Sequence, residues 1–170
     1  MEEKNVLLET SRFRVVERLQ TTASGDERPR QVVEHPGAVV ILPLLAGGRV
    51  CLIRNRRIAV DDTLLELPAG TLEPPEPPIE CARRELIEET GYRAGRIEPT
   101  PPFWMSPGIL SERMHAFVAQ DLSEGPAARE PGEEIENHIV PLSEALAMCH
   151  DGRIEDAKTL VMLLRWAATH

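Results

Sequence analysis

The stretch from Gly70 to Tyr92 constrains the fold of this 170-residue chain more than any other part of it. Its first half is a proline-dense loop, and its second half carries glutamates at helical spacing. The prolines at 77 and 78 suit a first helical turn, where a missing N–H costs nothing, and Gly91 suits a left-handed C-terminal cap. The pattern therefore predicts a helix from about Pro78 to Thr90.

Three glutamates of this predicted helix gather on one arc of its surface. Glu85, Glu88 and Glu89 lie beside an apolar stripe, and like charges at these spacings destabilise a helix by about 0.2–0.5 kcal/mol per pair. A hard divalent cation such as Mg²⁺ or Mn²⁺ would neutralise them and would also accept phosphate oxygens of a substrate. The alternative interpretation is a solvated helix face on which Arg84 pairs with Glu88.

Composition limits the class of protein. A chain of this length makes one domain, and 42% hydrophobic and 28% charged residues are typical of a globular protein. A net charge of −9 without a run of Lys and Arg argues against a nucleic-acid-binding surface. The cysteines at 51, 81 and 149 lack CxxC spacing, which indicates reduced thiols, and no apolar segment is long enough for a membrane span. We therefore expect a soluble, cytoplasmic protein without a membrane partner.

The N-terminal region predicts a small sheet that is not stable alone. Residues 6–8, 13–19 and 31–35 have β-like patterns, and the polar segment 21–30 is expected to be flexible. An antiparallel sheet of this size needs the main domain or a second subunit to pack against. We divide the chain into residues 1–36, a dimerisation subdomain, and residues 37–170, the main domain.

The main domain alternates predicted strands and helices. The apolar run 38–42 and its partner 50–54 flank a turn at Gly47-Gly48, and a cluster of arginines follows. The further predicted elements are brief pairing at 96–98, a proline-rich loop at 99–108, strand 111–122, loop 123–136, strand 138–142, a short helix capped by Ser143, and a final helix from about Glu155 that buries Leu160, Leu163, Leu164 and Ala167. This order predicts an α/β (α+β) sandwich of a mixed sheet and packed helices.

The stretch from Gly70 to Tyr92 resembles the Nudix box at all nine of its constrained positions. Outside the box, the chain looks like the ADP-ribose pyrophosphatase branch of that family. The features that carry this second resemblance are Arg54 and Arg57, Glu66-Leu67-Pro68-Ala69-Gly70, Ser106-Pro107-Gly108, Glu112, and Asp156-Ala157-Lys158-Thr159.

The resemblance implies a mixed β-sheet between helices, with the small N-terminal antiparallel sheet exchanged between the subunits of a homodimer. It also implies hydrolysis of ADP-ribose to AMP and ribose 5-phosphate. Mg²⁺, or Mn²⁺, would be held by Glu85, Glu89 and the backbone carbonyl of Ala69, with Glu88 close by. In the motif, Gly70 and Gly91 would be structural.

The resemblance assigns further roles around the box. Glu76 and Arg84 would brace the loop against the helix. The substrate would be contacted by Arg54, Arg57, Glu66, Gly108 and Glu112. An aromatic ring usually stacks on an adenine, and Trp104 and Phe13 are the candidates for that contact, with core packing as the alternative for each.

The catalytic base is expected in an acidic loop. Relatives of this kind carry a Glu-x-Glu pair just before an Ile, whereas this chain reads Glu130-Pro131-Gly132-Glu133-Glu134-Ile135. Glu133 matches the second member of the pair, which tends to meet a metal, and Pro131 replaces the first. The catalytic candidates are therefore Glu133, Glu130 and Glu88, with Glu134 and Glu112 as further options, and a solvated loop charge is the alternative for each.

Two alternatives to ADP-ribose hydrolysis stay open. One is the same chemistry on another nucleoside diphosphate sugar, such as GDP-mannose or ADP-glucose. The other is a Nudix domain that binds a nucleotide as a sensor without cleaving it, because Pro131 leaves the base unassigned.

Overall fold

Two β-sheets and three helices form the part of the chain that the computed structural model describes, residues 5–129 and 134–170. The elements are β1 Asn5–Glu9, β2 Arg14–Thr21, β3 Glu27–Glu34, β4 Ala38–Leu45, β5 Arg49–Arg57, β6 Asp62–Glu66, β7 Ala69–Thr71, α1 Pro78–Thr90, β8 Tyr92–Trp104, β9 Arg113–Glu124, β10 Ile135–Pro141, α2 Leu142–Asp151 and α3 Ala157–Thr169. No helix in these ranges is both long enough and apolar enough to cross a membrane.

The N-terminal sheet is antiparallel, in the order β1-β2-β3. The prediction of a flexible segment 21–30 is wrong, because β2 runs to Thr21 and β3 begins at Glu27. The intervening turn is closed by a hydrogen bond from the Thr22 amide to the Asp26 carbonyl at 2.8 Å. This end of the hairpin is exposed on both faces, so the segment lacks the apolar alternation that identifies a strand.

The main sheet has seven strands, with the backbone order β10-β5-β4-β9-β8, β6 on β5, and β7 on β4. β4 and β9 run parallel, whereas the other paired strands of this sheet run antiparallel, so the sheet is mixed. The predicted turn at Gly47-Gly48 is present, and both glycines have positive φ, 76° and 67°. Only glycine adopts such angles without strain, which fixes this hairpin.

Helices cover both faces of the main sheet. The cluster on one face contains residues of α2 and α3, and the cluster on the other face contains Cys81, Ala82 and Leu86 of α1. The predicted alternation along β9 is confirmed, because Met114 contributes to the first cluster and Phe117 to the second. The predicted mixed sheet between helices is therefore the observed architecture.

The predicted boundaries on either side of β9 are wrong. β8 extends through thirteen residues, across the segment expected to be a proline-rich loop. It lies at the end of the strand order, and its pairing with β9 shifts register between Thr100 and Phe103. Prolines are tolerated at such an edge and irregularity because their missing N–H breaks no central ladder bond. The loop predicted at 123–136 is also shorter, since β9 ends at Glu124 and β10 begins at Ile135.

The two C-terminal helices also differ from expectation. Pro141, not Ser143, occupies the N-cap position of α2, which has no side-chain cap. In α3, Leu163 is buried as predicted, but Leu164 is 40% exposed and Ala167 is exposed. The buried face of α3 instead includes Lys158 and Thr159, whose side chains bond to Glu66 and to the Leu67 amide.

Candidate active site

The helix α1 has the predicted bounds, Pro78–Thr90, and ends at Gly91 with φ 79°. The Gly91 amide donates to the Ile87 carbonyl at 2.9 Å, as expected for a left-handed cap. Ala82 and Leu86 are buried against the sheet. This packing turns the neighbouring arc of glutamates toward the start of β7.

Two carboxylates of α1 meet the backbone at Ala69 and Gly70. The Ala69 amide donates to Glu89 Oε2 at 2.9 Å, and the Glu89 residue is 4% exposed. A Cβ atom added at Gly70 would lie 1.9 Å from the carboxyl carbon of Glu85. Glycine is therefore required at position 70 for the close approach of the Glu85 carboxylate to the main chain.

Arg84 joins the loop to the glutamate arc. Its Nε and NH2 atoms donate to the two carboxylate oxygens of Glu76 at 3.0 and 3.1 Å. Its NH1 atom donates to Glu85 at 2.7 Å and to Glu88 at 2.9 Å. The hydrogen bonds from Arg84 lower the pKa of the Glu76 carboxyl. The bond to Glu76, followed by the charge of Glu85 and the bond to Glu88, raises the pKa of Arg84. Arg84 therefore both braces the loop and offsets the repulsion among the glutamates.

The oxygen atoms around Glu85 and Glu89 suit a hard divalent cation. Within residues 5–129 and 134–170, no group of three or more His, Cys, Asp or Glu side chains is already arranged as a metal site. The carboxylates of Glu85 and Glu89, which approach the main chain at Gly70 and Ala69, nevertheless offer oxygen ligands at this point of the structure. Oxygen ligands of this kind suit Mg²⁺ or Mn²⁺ rather than a softer metal.

A cleft of about 1020 Å³ opens above these carboxylates. It is lined by residues of the loop between β1 and β2, the end of β5, β7 with the loop that follows it, and α1. The residues that matter for its chemistry are Arg12, Asn55, Arg56, Arg57, Ala69, Gly70, Arg84, Glu85, Glu88, Glu89 and Glu134. The glutamates of α1 form a carboxylate floor, and Arg12, Arg56 and Arg57 form a cationic wall. This arrangement suits an anionic ligand that is bound together with a cation.

Arg57 on the cationic wall is fixed by a buried carboxylate. Arg57 Nε donates to Glu66 Oε1 at 2.8 Å, and its NH2 atom donates to Glu66 Oε2 at 2.6 Å. Burial alone would raise the pKa of Glu66, but the hydrogen bonds from Arg57 and the charge of Lys158 outweigh it and hold the pKa below its usual value. Glu66 is thus an ion-pair partner of Arg57 in this arrangement.

The remaining predicted substrate residues lie outside the lining of this cleft. Arg54 is exposed on β5, opposite Glu136 of β10. Trp104 is 51% exposed, and the Arg113 guanidinium lies 4.7 Å from the centre of its ring. Gly108 is in the exposed loop before β9, and Glu112 lies 3.8 Å from His35.

A second cavity of about 500 Å³ adjoins the N-terminal sheet. Phe13, Glu34, His35 and Ser111 contribute to its lining. Phe13 is 37% exposed there, so its ring is accessible from the cavity. Trp104, the other candidate for base stacking, does not line this cavity.

Two arginines of the cleft were missed by sequence reasoning. Arg56 stands beside the predicted Arg57 and forms an ion pair with Asp61. The cluster of arginines at 54–57 was itself a signal, but the sequence does not show which side chains face the cleft. Arg12 had no signal, because it reaches the cleft from a loop nearly sixty residues away from the box.

The loop candidates for the base fall largely outside the described residues. The candidates Glu130 and Glu133, like the intervening Pro131, lie outside the described residues, whereas Glu134 lines the cleft. The chain before residue 130 is held against the C-terminal end of α1. Ala128 N donates to the Glu88 carbonyl at 3.2 Å, and Arg129 Nε donates to the Glu89 carbonyl at 3.1 Å.

Similarity to known proteins identifies the family of this chain. The family model described as NUDIX domain matches residues 34–163. The chain belongs to the Nudix family. Nudix hydrolases generally depend on a divalent metal, which is consistent with the oxygen ligands beside the Nudix box of this chain.

Relatives place the chain within the family. It is 38% identical over 138 residues to an ADP-ribose pyrophosphatase of Bacillus subtilis, covering 80% of this chain and 75% of that protein. It is 41% identical over 136 residues to a GDP-mannose pyrophosphatase of Pectobacterium atrosepticum, covering 75% and 70%. The fold is similar to a crystal structure of an ADP compounds hydrolase, with a TM-score of 0.79, 24% identity, and coverage of 97% of this chain and 94% of that chain.

Proposed function

We propose that this Nudix hydrolase cleaves the diphosphate of a nucleoside diphosphate sugar, with ADP-ribose giving AMP and ribose 5-phosphate. The observation that carries the proposal is the meeting of Glu85 and Glu89 with the Ala69-Gly70 backbone beneath a cationic wall. The names of the relatives support this substrate class, since they are pyrophosphatases of ADP-ribose and of GDP-mannose.

In this proposal, Glu85, Glu89 and the Ala69 carbonyl hold Mg²⁺ or Mn²⁺, with Glu88 and Glu133 as further ligands. When bound, the metal neutralises diphosphate charge and lowers the pKa of a water. Arg84 already contacts Glu85 and Glu88, so its guanidinium balances the charge of those carboxylates.

The other residues bind and orient the substrate. Arg57, fixed by Glu66, presents its guanidinium to the diphosphate or the ribose from the wall of the cleft. Arg54, Gly108, Glu112 and Trp104 are proposed to contact the nucleoside or sugar end. The proton acceptor for the attacking water is proposed among Glu130, Glu133 and Glu88, of which Glu88 lines the cleft.

Residues 1–36 are proposed to dimerise the chain. The N-terminal sheet exposes large apolar side chains, Val6, Leu7, Leu8, Phe13 and Leu19. Several exposed large apolar side chains on a small sheet are typical of an interface. A cytoplasmic location is part of the proposal and is supported by three free thiols, at Cys51, Cys81 and Cys149.

Sedimentation velocity tests the dimer. We expect a mass of about twice 18.9 kDa for the wild type and a monomer for the Leu8→Lys, Leu19→Lys double variant, because each lysine places a charge in the apolar surface. The matched control is Ile58→Lys with Val60→Lys, which changes exposed apolar residues outside the sheet and should stay dimeric. A monomeric wild type at micromolar concentration contradicts the proposal.

A phosphate-release assay over nucleoside diphosphate sugars, with a phosphatase to cleave the monophosphate products, tests the substrate. We expect the highest kcat/KM for ADP-ribose and lower values for ADP-glucose and GDP-mannose. A clear preference for GDP-mannose would refute ADP-ribose as the substrate while retaining the chemistry. Tight binding of ADP-ribose without turnover of any compound would instead indicate the sensor.

Gly70→Ala is expected to lower kcat by about a hundredfold, because its methyl group displaces the Glu85 carboxylate from the metal. The melting temperature should change little, since the clash is with the end of a flexible side chain. Gly95→Ala is the control, as it adds a methyl at 3.1 Å from Asp121 in β9, away from the cleft. Steady-state kinetics that show unchanged kcat in Gly70→Ala contradict the placement of Glu85.

A further inference from the structure

Lys158 is a buried cation that is not used by the chemistry described above. It lies in the first turn of α3, and its side chain is 9% exposed. Its Nζ atom donates to Glu66 Oε2 at 2.6 Å and to Asp156 Oδ1 at 2.9 Å. A buried ammonium is costly unless carboxylates pair with it, and two do so here.

The partner of Lys158 is the carboxylate that fixes Arg57. Glu66 is 1% exposed, and Arg57 and Lys158 share its Oε2 atom. The Arg57 side chain is 39% exposed and lines the cleft, whereas Lys158 does not line it. Glu66 therefore links Lys158, at the start of α3, to the guanidinium of Arg57, which lines the cleft.

The orientation of Arg57 depends on this connection. A bidentate pair fixes the guanidinium relative to the carboxylate, so the arginine is well oriented only if the carboxylate has a fixed point of its own. The bond from Lys158 supplies that fixed point, and Asp156, which also accepts from the Thr159 amide at 3.0 Å, fixes Lys158 to the helix N-terminus. Arg57 uses Nε and NH2 on Glu66, and NH1 makes no hydrogen bond among its described contacts, so NH1 can donate to an added anion.

We propose that Lys158 is a positioning residue, which holds the Arg57 guanidinium in the cleft through the carboxylate of Glu66. The proposal rests on the proposed function, in which Arg57 binds the diphosphate or the ribose of the substrate. The alternative is a purely structural role, in which Lys158 stabilises the fold and does not act through Arg57.

A double-mutant cycle in kcat/KM for ADP-ribose tests the proposal. Lys158→Met, which keeps the volume and removes the charge, should lower kcat/KM by about tenfold, mainly through KM. In an Arg57→Met background, the same change should have an effect of less than about twofold, because there is no guanidinium left to position. A general loss of positive charge near the anion would instead act equally in both backgrounds, and equal effects overturn the proposal.

Arg165→Met is the matched control on the same helix. Arg165 donates to the Pro101 carbonyl at 2.8 Å and has no bond to Glu66 among its described contacts, so this variant should keep wild-type kcat/KM. If Lys158→Met does not fold, Glu66→Gln replaces it in the same cycle, since the amide cannot accept from both cations as a carboxylate does.

A readout without substrate separates this proposal from the proposed function. Phenylglyoxal modification of Arg57, followed by peptide mass spectrometry, should be several times faster in Lys158→Met than in the wild type or Arg165→Met. An unchanged rate overturns the positioning role. A wild type that hydrolyses no nucleoside diphosphate sugar would overturn the proposed function alone, because the labelling result stands in either case.

Discussion

Glu89→Gln is expected to lower kcat by about a thousandfold while the protein stays folded. The amide oxygen of glutamine can accept the hydrogen bond from Ala69 N, which measures 2.9 Å in the wild type, so the local structure is preserved. What is lost, if Glu89 is the proposed metal ligand, is one negative charge at the metal, and metal stabilisation of transition-state charge is worth several kcal/mol, at about 1.4 kcal/mol for each factor of ten. Steady-state kinetics with Mg²⁺, together with circular dichroism, measure both quantities.

Glu80→Gln is the matched control for this prediction. Glu80 lies on the same helix, in its first turn, is exposed and does not line the cleft. This variant should keep kcat within about twofold of the wild type. Near-wild-type turnover in Glu89→Gln would contradict the metal assignment, and equal losses in both variants would indicate a general effect of charge.

Gly91→Ala is expected to destabilise the protein by about 3 kcal/mol. Gly91 has φ 79°, where a side chain costs about 1 kcal/mol, and a Cβ atom there would lie 2.4 Å from the Gly125 carbonyl oxygen. Relief requires a backbone shift, since Gly125 N also donates to the Gly91 carbonyl at 2.9 Å, and such overpacking costs about 1–3 kcal/mol more. For a domain of this size, the melting temperature should fall by about 6–12 °C in a thermal melt.

Gly152→Ala isolates the backbone cost. Gly152 caps α2 with φ 82°, and a Cβ atom there has no neighbour within 4 Å. We therefore expect a loss of about 1 kcal/mol only, or about 2–4 °C. Equal shifts in the two variants would show that the contact between Gly91 and Gly125 contributes nothing.

Elements with local signals were predicted well from the sequence. The bounds of α1 follow from Pro78 at its start and Gly91 at its end, and the turn at Gly47-Gly48 follows from residues that tolerate positive φ. Most of β8 was missed for the opposite reason. Only brief pairing at 96–98 was predicted, because the local signal that follows is rich in prolines and the pairing with β9 comes from the tertiary structure.

The site shows the same division. The spacing of Glu85, Glu88 and Glu89 was readable, because one helix carries all three, and the structure brings them to one cleft. The contact between Glu66 and Lys158 joins residues 92 positions apart, so no local pattern reports it. The resemblance to the family had already singled out the segment Asp156-Ala157-Lys158-Thr159. Only the structure shows which groups Lys158 and Thr159 contact.

Product analysis of ADP-ribose incubated with the wild-type protein tests the central claim most directly. With Mg²⁺, ion-exchange chromatography should show AMP and ribose 5-phosphate in equal amounts, and EDTA should abolish both until excess Mg²⁺ is restored. Intact ADP-ribose after prolonged incubation with Mg²⁺, or the same products at an undiminished rate in EDTA, would contradict a metal-dependent diphosphate hydrolase.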